Sequence, residues 1–168
     1  ADVRVSVASD AKIVWYEPLQ ASAATKKIPD EQYANFIKTE EAKAHLNGLI
    51  TGKVKGAMEK KMAGQLNGSR PVRIEVVVTQ FIVPTAAQRV IIGGSNVMTA
   101  DINVVDAKAG AVILAHPKFT WSVQVGQGIG GVIAQAIVDS ALQPSTDSLI
   151  EQHAMFYMIW LINDAKKA

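Results

Sequence analysis

The sequence predicts an α+β fold. We expect an antiparallel sheet of four to five strands, covered mainly on one face by a long helix and two C-terminal helices. Several segments alternate apolar and polar side chains, which is typical of strands with one buried and one wet face, whereas parallel strands read as continuous apolar runs. Segments with helical periodicity precede and follow these strands. The 168 residues have the size of one domain, residues 1–168.

The long helix is predicted to run from Thr39 to Asn67–Gly68, because apolar residues recur there at steps of three and four. Thr39 is a suitable N-cap, and Asn67–Gly68 tolerates the positive φ that ends helices. Its apolar face consists of Leu46, Leu49, Ile50, Val54, Ala57, Met58, Met62 and Leu66. Its other side carries Lys43, Lys53, Lys55, Lys60 and Lys61. These lysines could attract anionic lipid or an acidic partner, although a solvated face is the commoner reason for such a pattern.

The remaining elements follow from alternation and from turn residues. Strands are predicted at Val3–Val7, Val72–Val78, Met98–Val104, Val112–Leu114 and Phe119–Val125. The stretch Ala21–Tyr33 is weakly patterned and is predicted to be a loop. Asp106–Gly110 is predicted to be a hairpin loop. A helix at Ile129–Ile137 is stopped by Pro144, and Ser148 with Glu151 forms a capping box for a final helix that ends near Ala165.

Composition excludes several function classes. The net charge of +2, from 17 basic and 15 acidic residues, argues against nucleic-acid binding, which needs a concentrated basic face. The absence of cysteine excludes disulfides, thiolate metal sites and a cysteine nucleophile. No apolar run approaches the ~20 residues of a membrane span. The first residues, Ala1-Asp2-Val3, are what cleavage of a signal peptide leaves, so we expect a secreted or periplasmic protein.

Gly126–Gly131 is the sharpest motif, because it matches the G-x-G-x-x-G pattern between a strand and a helix. Its surroundings differ from a dinucleotide site: the preceding strand has a polar face and no strand follows the helix. A glycine-rich turn that lets the helix pack closely is the commoner alternative. His45, His116 and His153 lack neighbours at metal-ligand spacing, so we predict no metal and no cofactor. Asp101 and Asp106 are interpreted as surface charges or a hairpin cap.

The final helix contains eight consecutive apolar residues, Met155–Ile162. A helix that is apolar all round must be buried on more than one side, either inside the protein or against a partner. The sequence leaves both alternatives open. If a partner covers the helix, Tyr157, Met158, Trp160 and Leu161 are the candidate interface residues, because Trp and Tyr dominate interface hot spots.

The stretch Leu66–Ile113 resembles uncharacterised families of bacterial envelope proteins that include lipoproteins. The shared features are a helix, a Val-rich strand, a polar link with Arg and a Gly pair, a further strand and a D-A-x-x-G turn. The piece IVWYEP, residues 13–18, is similar to one of these families. The resemblance implies a secreted or periplasmic setting and no known catalysis. This chain lacks the cysteine that would carry a lipid.

Together these observations predict a protein that is not an enzyme. We expect an accessory or assembly protein of the bacterial envelope, periplasmic or associated with the outer membrane, that binds other envelope proteins or forms a homo-oligomer and possesses no nucleic-acid partner. Association with a membrane surface is a further expectation. The alternatives are a module that binds a small ligand or a lipid, and a nucleotide-binding protein that uses the Gly126–Gly131 turn.

Overall fold

The computed structural model describes residues 2–66, 68–85, 88, 94–124 and 146–165, which form four strands and four helices. In chain order these are β1 (Asp2–Trp15), α1 (Glu17–Thr25), α2 (Asp30–Phe36), α3 (Glu40–Met62), β2 (Val72–Val83), β3 (Ser95–Asp106), β4 (Val112–Gln124) and α4 (Thr146–Ala165). The predicted helix at Ile129–Ile137 and the Gly126–Gly131 turn lie outside the described residues.

The four strands form one sheet in the order β1-β2-β3-β4. β2 and β4 are both antiparallel to β3, but β1 is parallel to β2, so the sheet is mixed. The predicted α+β fold is confirmed, and its purely antiparallel sheet is corrected at β1. Parallel neighbours need a long crossover connection, and the three helices α1 to α3 supply it here.

One face of the sheet is buried beneath two helices. α3 packs on β1, α4 packs on β3 and β4, and the two helices contact each other. The side chains of this inner face are almost wholly buried: Val3, Ile74, Val76, Val78, Phe81, Met98, Ala100 and Ile102. The outer face is polar, with Thr99 Oγ1 lying 2.9 Å from Thr120 Oγ1 and 3.2 Å from Gln80 Oε1. The predicted one-sided cover by the long helix and the last helix is therefore confirmed.

The segment predicted as a loop at Ala21–Tyr33 is mostly helical. α1 carries Pro18 in its first turn, where proline removes no helical hydrogen bond. Its buried side chains are only Leu19 and Ala23, and α2 buries only Phe36. Two short helices with so few apolar residues leave too weak a periodic pattern to be recognised in the sequence.

Helix α3 confirms the predicted N-cap at Thr39. Thr39 is extended, and its Oγ1 accepts a hydrogen bond from the Ala42 N–H at 3.2 Å while donating to the Phe36 carbonyl at 2.8 Å. The helix ends at Met62, five residues before the predicted stop. Gly64 has a φ of +75°, which makes it the left-handed residue just past the helix end.

Strand β4 is interrupted by a bulge at its middle. Ala100 pairs with Phe119 and Ile102 with His116, so Asp101 alone faces both Pro117 and Lys118. Lys118 has a φ of +53°, and its N–H donates to Asp101 Oδ1 at 2.7 Å. A proline, a lysine and a bulge on an edge strand are devices that prevent pairing with another strand. The other edge strand, β1, is irregular between Val7 and Lys12.

The cap at Thr39 gives a first prediction. We expect Thr39→Ala to lower the free energy of unfolding by about 1 kcal/mol, because the Ala42 N–H loses its side-chain acceptor. Thr39→Ser keeps the hydroxyl and is the matched control. Urea denaturation followed by circular dichroism measures both; equal stability of the Ala variant and the wild type would show that the cap is not stabilising.

The bulge at Lys118 gives a second prediction. We expect Lys118→Val to cost about 1–2 kcal/mol of stability, because a β-branched residue is poorly accommodated at positive φ. Lys118→Asn should retain the wild-type melting temperature within experimental error, since asparagine tolerates this conformation. Thermal melting of the two variants side by side tests the bulge, and a Val variant as stable as the Asn variant would contradict it.

Candidate functional site

The most distinctive side-chain cluster of the described residues lies between β4 and α4. The inner side of β4 presents His116, Phe119 and Trp121, and the facing side of α4 presents four rings at helical spacing: His153, Phe156, Tyr157 and Trp160. Residues at i, i+3, i+4 and i+7 share one face of a helix, so all four rings can meet one strand. We call these seven side chains the aromatic layer.

Strand and helix run in opposite directions across the aromatic layer. Trp121 stacks on Phe156 with 3.7 Å between ring centroids, Phe119 meets His153 edge to face at 4.8 Å, and His116 contacts Trp160 at 3.7 Å. Thus the start of β4 lies beneath the C-terminal half of α4. Five ring contacts join the two elements, and three of them involve a histidine.

His153 is buried, with 1% of its surface exposed. Its Nε2 lies 3.3 Å from the backbone carbonyl oxygen of Phe119, and as the N–H tautomer it donates to that oxygen. Burial lowers the pKa of His153 to about 4, because an imidazolium in this position would lose its hydration, while the Phe119 carbonyl opposes the shift weakly. His153 is therefore neutral at pH 7 and acts as a packed ring with one polar tether.

His116 is half-buried and differs from His153. Its Nδ1 is shielded from solvent and has no hydrogen-bond partner within the described part of the chain. Burial lowers the pKa of His116, and the carboxylate of Asp164 on α4 opposes that change. The face of Trp160 against its ring also favours a charged imidazole. A carboxylate therefore partly compensates a proton on His116, whereas a proton on His153 has only the Phe119 carbonyl as a partner.

Tyr157 is fully buried at the centre of the aromatic layer, between Phe119, His116 and Trp160. Burial raises the pKa of its hydroxyl, which stays protonated at every physiological pH. Among the described residues this hydroxyl has no hydrogen-bond partner. A buried hydroxyl without a partner costs stability, so Tyr157 contributes through its ring.

At the other end of the layer, the indole of Trp121 is held by a polar tether. Its Nε1 donates to Gln152 Oε1 at 3.2 Å, and Gln152 Nε2 donates to Ser148 Oγ at 3.0 Å. Ser148 therefore lies inside α4, two residues after Thr146, and serves Gln152. The predicted capping box at Ser148 and Glu151 is wrong, because helical backbone already includes the residues before Ser148.

Four of the five lysines of α3 are engaged in ion pairs. Lys53 Nζ lies 2.6 Å from Asp147 Oδ1, and Lys60 Nζ lies 3.0 Å from Glu151 Oε1, so two pairs connect α3 with α4. Two further pairs stay within α3: Lys43 with Glu40, and Lys55 with Glu59. These carboxylates neutralise the positive charge of the lysines with which they pair. Each exposed pair contributes roughly 0–1 kcal/mol to the free energy of unfolding. These pairs therefore affect the relative orientation of the helices more than their stability.

The four residues proposed as interface anchors lie mostly in the core of the chain itself. Tyr157, Met158 and Leu161 are buried, whereas Trp160 is half-buried against His116. Of the two alternatives that the sequence left open, their burial favours the core for the first three. Trp160 has exposed surface and stays a predicted interface residue.

The exposed apolar side chains belong to the two elements that carry this layer. In the described ranges the exposed large hydrophobic residues are Val112, Ile113 and Ile159. Val112 and Ile113 begin β4, and Ile159 is next to Trp160 on α4. Sequence reasoning missed them, because alternation assigned Val112 to a buried strand face. We call Val112, Ile113, Ile159 and Trp160 the apolar rim.

The two carboxylates of β3, Asp101 within the strand and Asp106 at its end, have structural roles. Asp106 Oδ1 accepts hydrogen bonds from the N–H groups of Ala109 and Lys108, and Oδ2 accepts from Arg70 Nε at 2.8 Å. The Ala109 bond and then the Arg70 bond lower the pKa of Asp106 to about 2. Gly110 follows with a φ of +71°. The predicted hairpin cap is thereby confirmed, and Asp101 fixes the β4 bulge.

The described residues contain no candidate metal centre and no membrane-spanning helix. No three His, Asp or Glu side chains lie together as a metal ion would require. The described helices are all too short or too polar to cross a lipid bilayer. His45 is exposed on α3. The nucleotide alternative at Gly126–Gly131 lies outside the described residues and stays a prediction.

The fold and the site together define a small α+β protein whose clearest feature is a packed layer of rings with an apolar rim. The chain belongs to a family of unknown function, DUF6778, whose model matches residues 40–153, from the start of α3 into α4. The resemblance to an uncharacterised family is confirmed by this match.

The crystal structure of a putative lipoprotein from Caulobacter crescentus CB15 is similar over 66% of this chain and 79% of its own, with 14% identity and a TM-score of 0.38. A likeness at this level carries no argument. No protein of curated function matches this chain.

The buried hydroxyl of Tyr157 gives a third prediction. We expect Tyr157→Phe to leave stability unchanged or to raise it by up to about 1 kcal/mol, because the ring contacts persist and a buried donor disappears. Tyr157→Leu, which removes the ring contacts, should instead destabilise by about 2 kcal/mol or more. Chemical denaturation measures both, and a clear loss of stability in the Phe variant would reveal a hydrogen bond to that hydroxyl.

Proposed function

We propose that this protein is a non-catalytic accessory protein of the bacterial envelope, periplasmic or associated with the outer membrane, that acts by binding another protein at the apolar rim. The envelope setting is supported by the resemblance of Leu66–Ile113 and of residues 13–18 to envelope protein families. The mode of action is supported by the position of the exposed apolar side chains.

The observation that carries the proposal is the exposure of apolar side chains on the two elements of the aromatic layer. Single exposed apolar side chains are normal on any protein surface. In the described ranges, however, every exposed large hydrophobic residue belongs to β4 or α4: Val112 and Ile113, which are adjacent in sequence, and Ile159. Trp160 adds a partly exposed aromatic ring, the type of residue that anchors interfaces.

The proposed contact is made by side chains and not by strand addition. The bulge at Pro117 and Lys118 interrupts the edge of β4, so a partner strand could not pair along its length. Within the rim, the ring of Trp160 is held in place by its contacts with His116 and Tyr157. A preorganised apolar surface loses little conformational entropy on binding, which favours affinity.

A site-specific cross-link tests this proposal and is the fourth prediction. We expect a photoreactive amino acid in place of Ile159 to form a discrete protein adduct in growing cells, because position 159 would lie in the interface. The same amino acid in place of Ser6, an exposed residue of β1, is the matched control. Immunoblotting detects the adduct, and mass spectrometry identifies the partner as an envelope protein or a second copy of the chain.

A charge variant adds an equilibrium measurement. Ile159→Glu should abolish co-purification of the identified partner at an unchanged melting temperature, since an exposed substitution normally alters stability by no more than about 0.5 kcal/mol. Ser6→Glu adds the same charge elsewhere and should retain the partner. Equal adducts at positions 159 and 6, adducts with lipid only, or recovery of the protein in the cytoplasmic fraction would each contradict the proposal.

A further inference from the structure

We propose that acid releases α4 from the sheet, with protonation of His153 as the trigger. This inference concerns regulation and does not depend on the proposed partner. It rests on the place of His153 in the aromatic layer: the ring is buried, contacts Phe119 edge to face at 4.8 Å, and has its Nε2 3.3 Å from the Phe119 carbonyl oxygen. A proton on this ring therefore places a full charge between α4 and β4.

No carboxylate among the described residues offsets that charge. The ionisable groups that the structure pairs with α4 are Lys53 and Lys60 from α3 and His116 from β4, and α4 itself carries Asp147, Glu151, Tyr157 and Asp164. The other carboxylates on the elements that contact α4 are exposed or engaged elsewhere: Glu40, Glu41 and Glu59 on α3 are exposed, Asp106 on β3 is paired with Arg70, and Asp101 accepts from the Lys118 N–H. Asp147 and Glu151 are already paired with the two lysines, and Asp164 acts on His116. From β3 come the uncharged side chains of Met98, Ala100 and Ile102.

Release of α4 lowers the free energy of the charged His153 ring, because the imidazolium regains its hydration. An exposed histidine has a pKa of 6.5, whereas the docked His153 has a pKa of about 4. The undocked state therefore binds the proton more tightly, and docking is fully stable only above about pH 6.5. The contribution of His153 to the stability of docking falls as the pH drops from about 6.5 to about 4, and this contribution does not change further below that window. Between pH 7 and pH 5 the equilibrium constant for undocking rises about 20-fold.

The release is expected to be local. α4 is the last described element of the chain, and its contacts are with α3, β3 and β4. β1, β2, β3 and α3 belong to the same buried core as α4, but in the described residues none of these four elements buries a histidine. Acid should therefore loosen α4 before the rest, exposing Phe119, Tyr157 and Met158, which are otherwise covered.

Hydrogen exchange across pH 7 to pH 4.5, corrected for intrinsic exchange rates, tests this fifth prediction on the full chain. We expect amides of α4 to lose protection about 20-fold between pH 7 and pH 5, while amides of α3 and β2 keep theirs. His153→Gln removes the titrating group and retains an N–H donor, so its α4 should change less than 3-fold. His45→Gln, at an exposed histidine, is the matched control and should behave as the wild type.

Three results would overturn the inference: protection of α4 that does not depend on pH, an unaltered pH dependence in His153→Gln, or simultaneous loss of protection in α3, β2 and α4. Titration of the His153 ring by NMR in the wild type covers the case in which His153→Gln does not fold. A ring that titrates below pH 5 supports the inference, and one that titrates at pH 6 or above refutes it.

Discussion

The structure depends on the need to cover one face of a four-stranded sheet. Strands lie ~4.8 Å apart, so the axes of four of them span about 14 Å, whereas a helix with its side chains is about 10 Å wide. One helix therefore cannot protect Val3 at one edge and Phe119 at the other. α3 covers the β1 side, α4 covers the β3–β4 side, and the two helices contact each other above the centre. Most of the described core lies in this arrangement, to which α1 adds Leu19 and Ala23 and α2 adds Phe36.

This division of the sheet explains why α4 is apolar on more than one side. One side of the helix meets the aromatic residues of β4, and another meets α3, so Leu149, Ile150, Ala154, Tyr157, Met158 and Leu161 are all buried. The run Met155–Ile162 therefore has an intramolecular explanation for most of its length. Ile159 is left over, because it lies on neither of the packed sides and has 47% of its surface exposed.

The sequence predicted the features that depend on short-range physics. The periodicity of α3, its cap at Thr39 and the hairpin at Asp106 each require only a few neighbouring residues, and the structure confirms them. The parallel direction of β1 was not predictable from alternation, because a strand with one buried face alternates in either direction. The bulge at Lys118 and the helices α1 and α2 were missed because they depend on tertiary contacts. At the bulge, for example, the acceptor for the Lys118 N–H is Asp101 on the neighbouring strand.

For the candidate site, the sequence showed the aromatic and histidine residues, but it did not show that those of β4 and α4 would contact each other. His116 and His153 looked like ordinary histidines because neither has a partner at metal-ligand spacing, and no local signal indicated that the two would enter one layer of rings. A fold-level argument could have suggested it, since a final helix of aromatic residues and a strand with alternating rings both need cover. The exact register, with His153 opposite Phe119, depends on how α4 crosses the sheet and is set by packing.

A buried imidazole is a poor choice where stability alone is at stake. A leucine or phenylalanine at position 153 would fill similar space without a nitrogen that must be satisfied, and burying polar groups costs more than it returns unless hydrogen bonds are complete. His153 makes a hydrogen bond to one carbonyl oxygen, and its ring contacts join α4 to the edge strand of the sheet. Helix α4, which completes the core, is therefore attached to the sheet partly through an ionisable group, His153. Local opening free energies differ across a protein, and such an attachment makes α4 the element whose opening free energy responds most to acid.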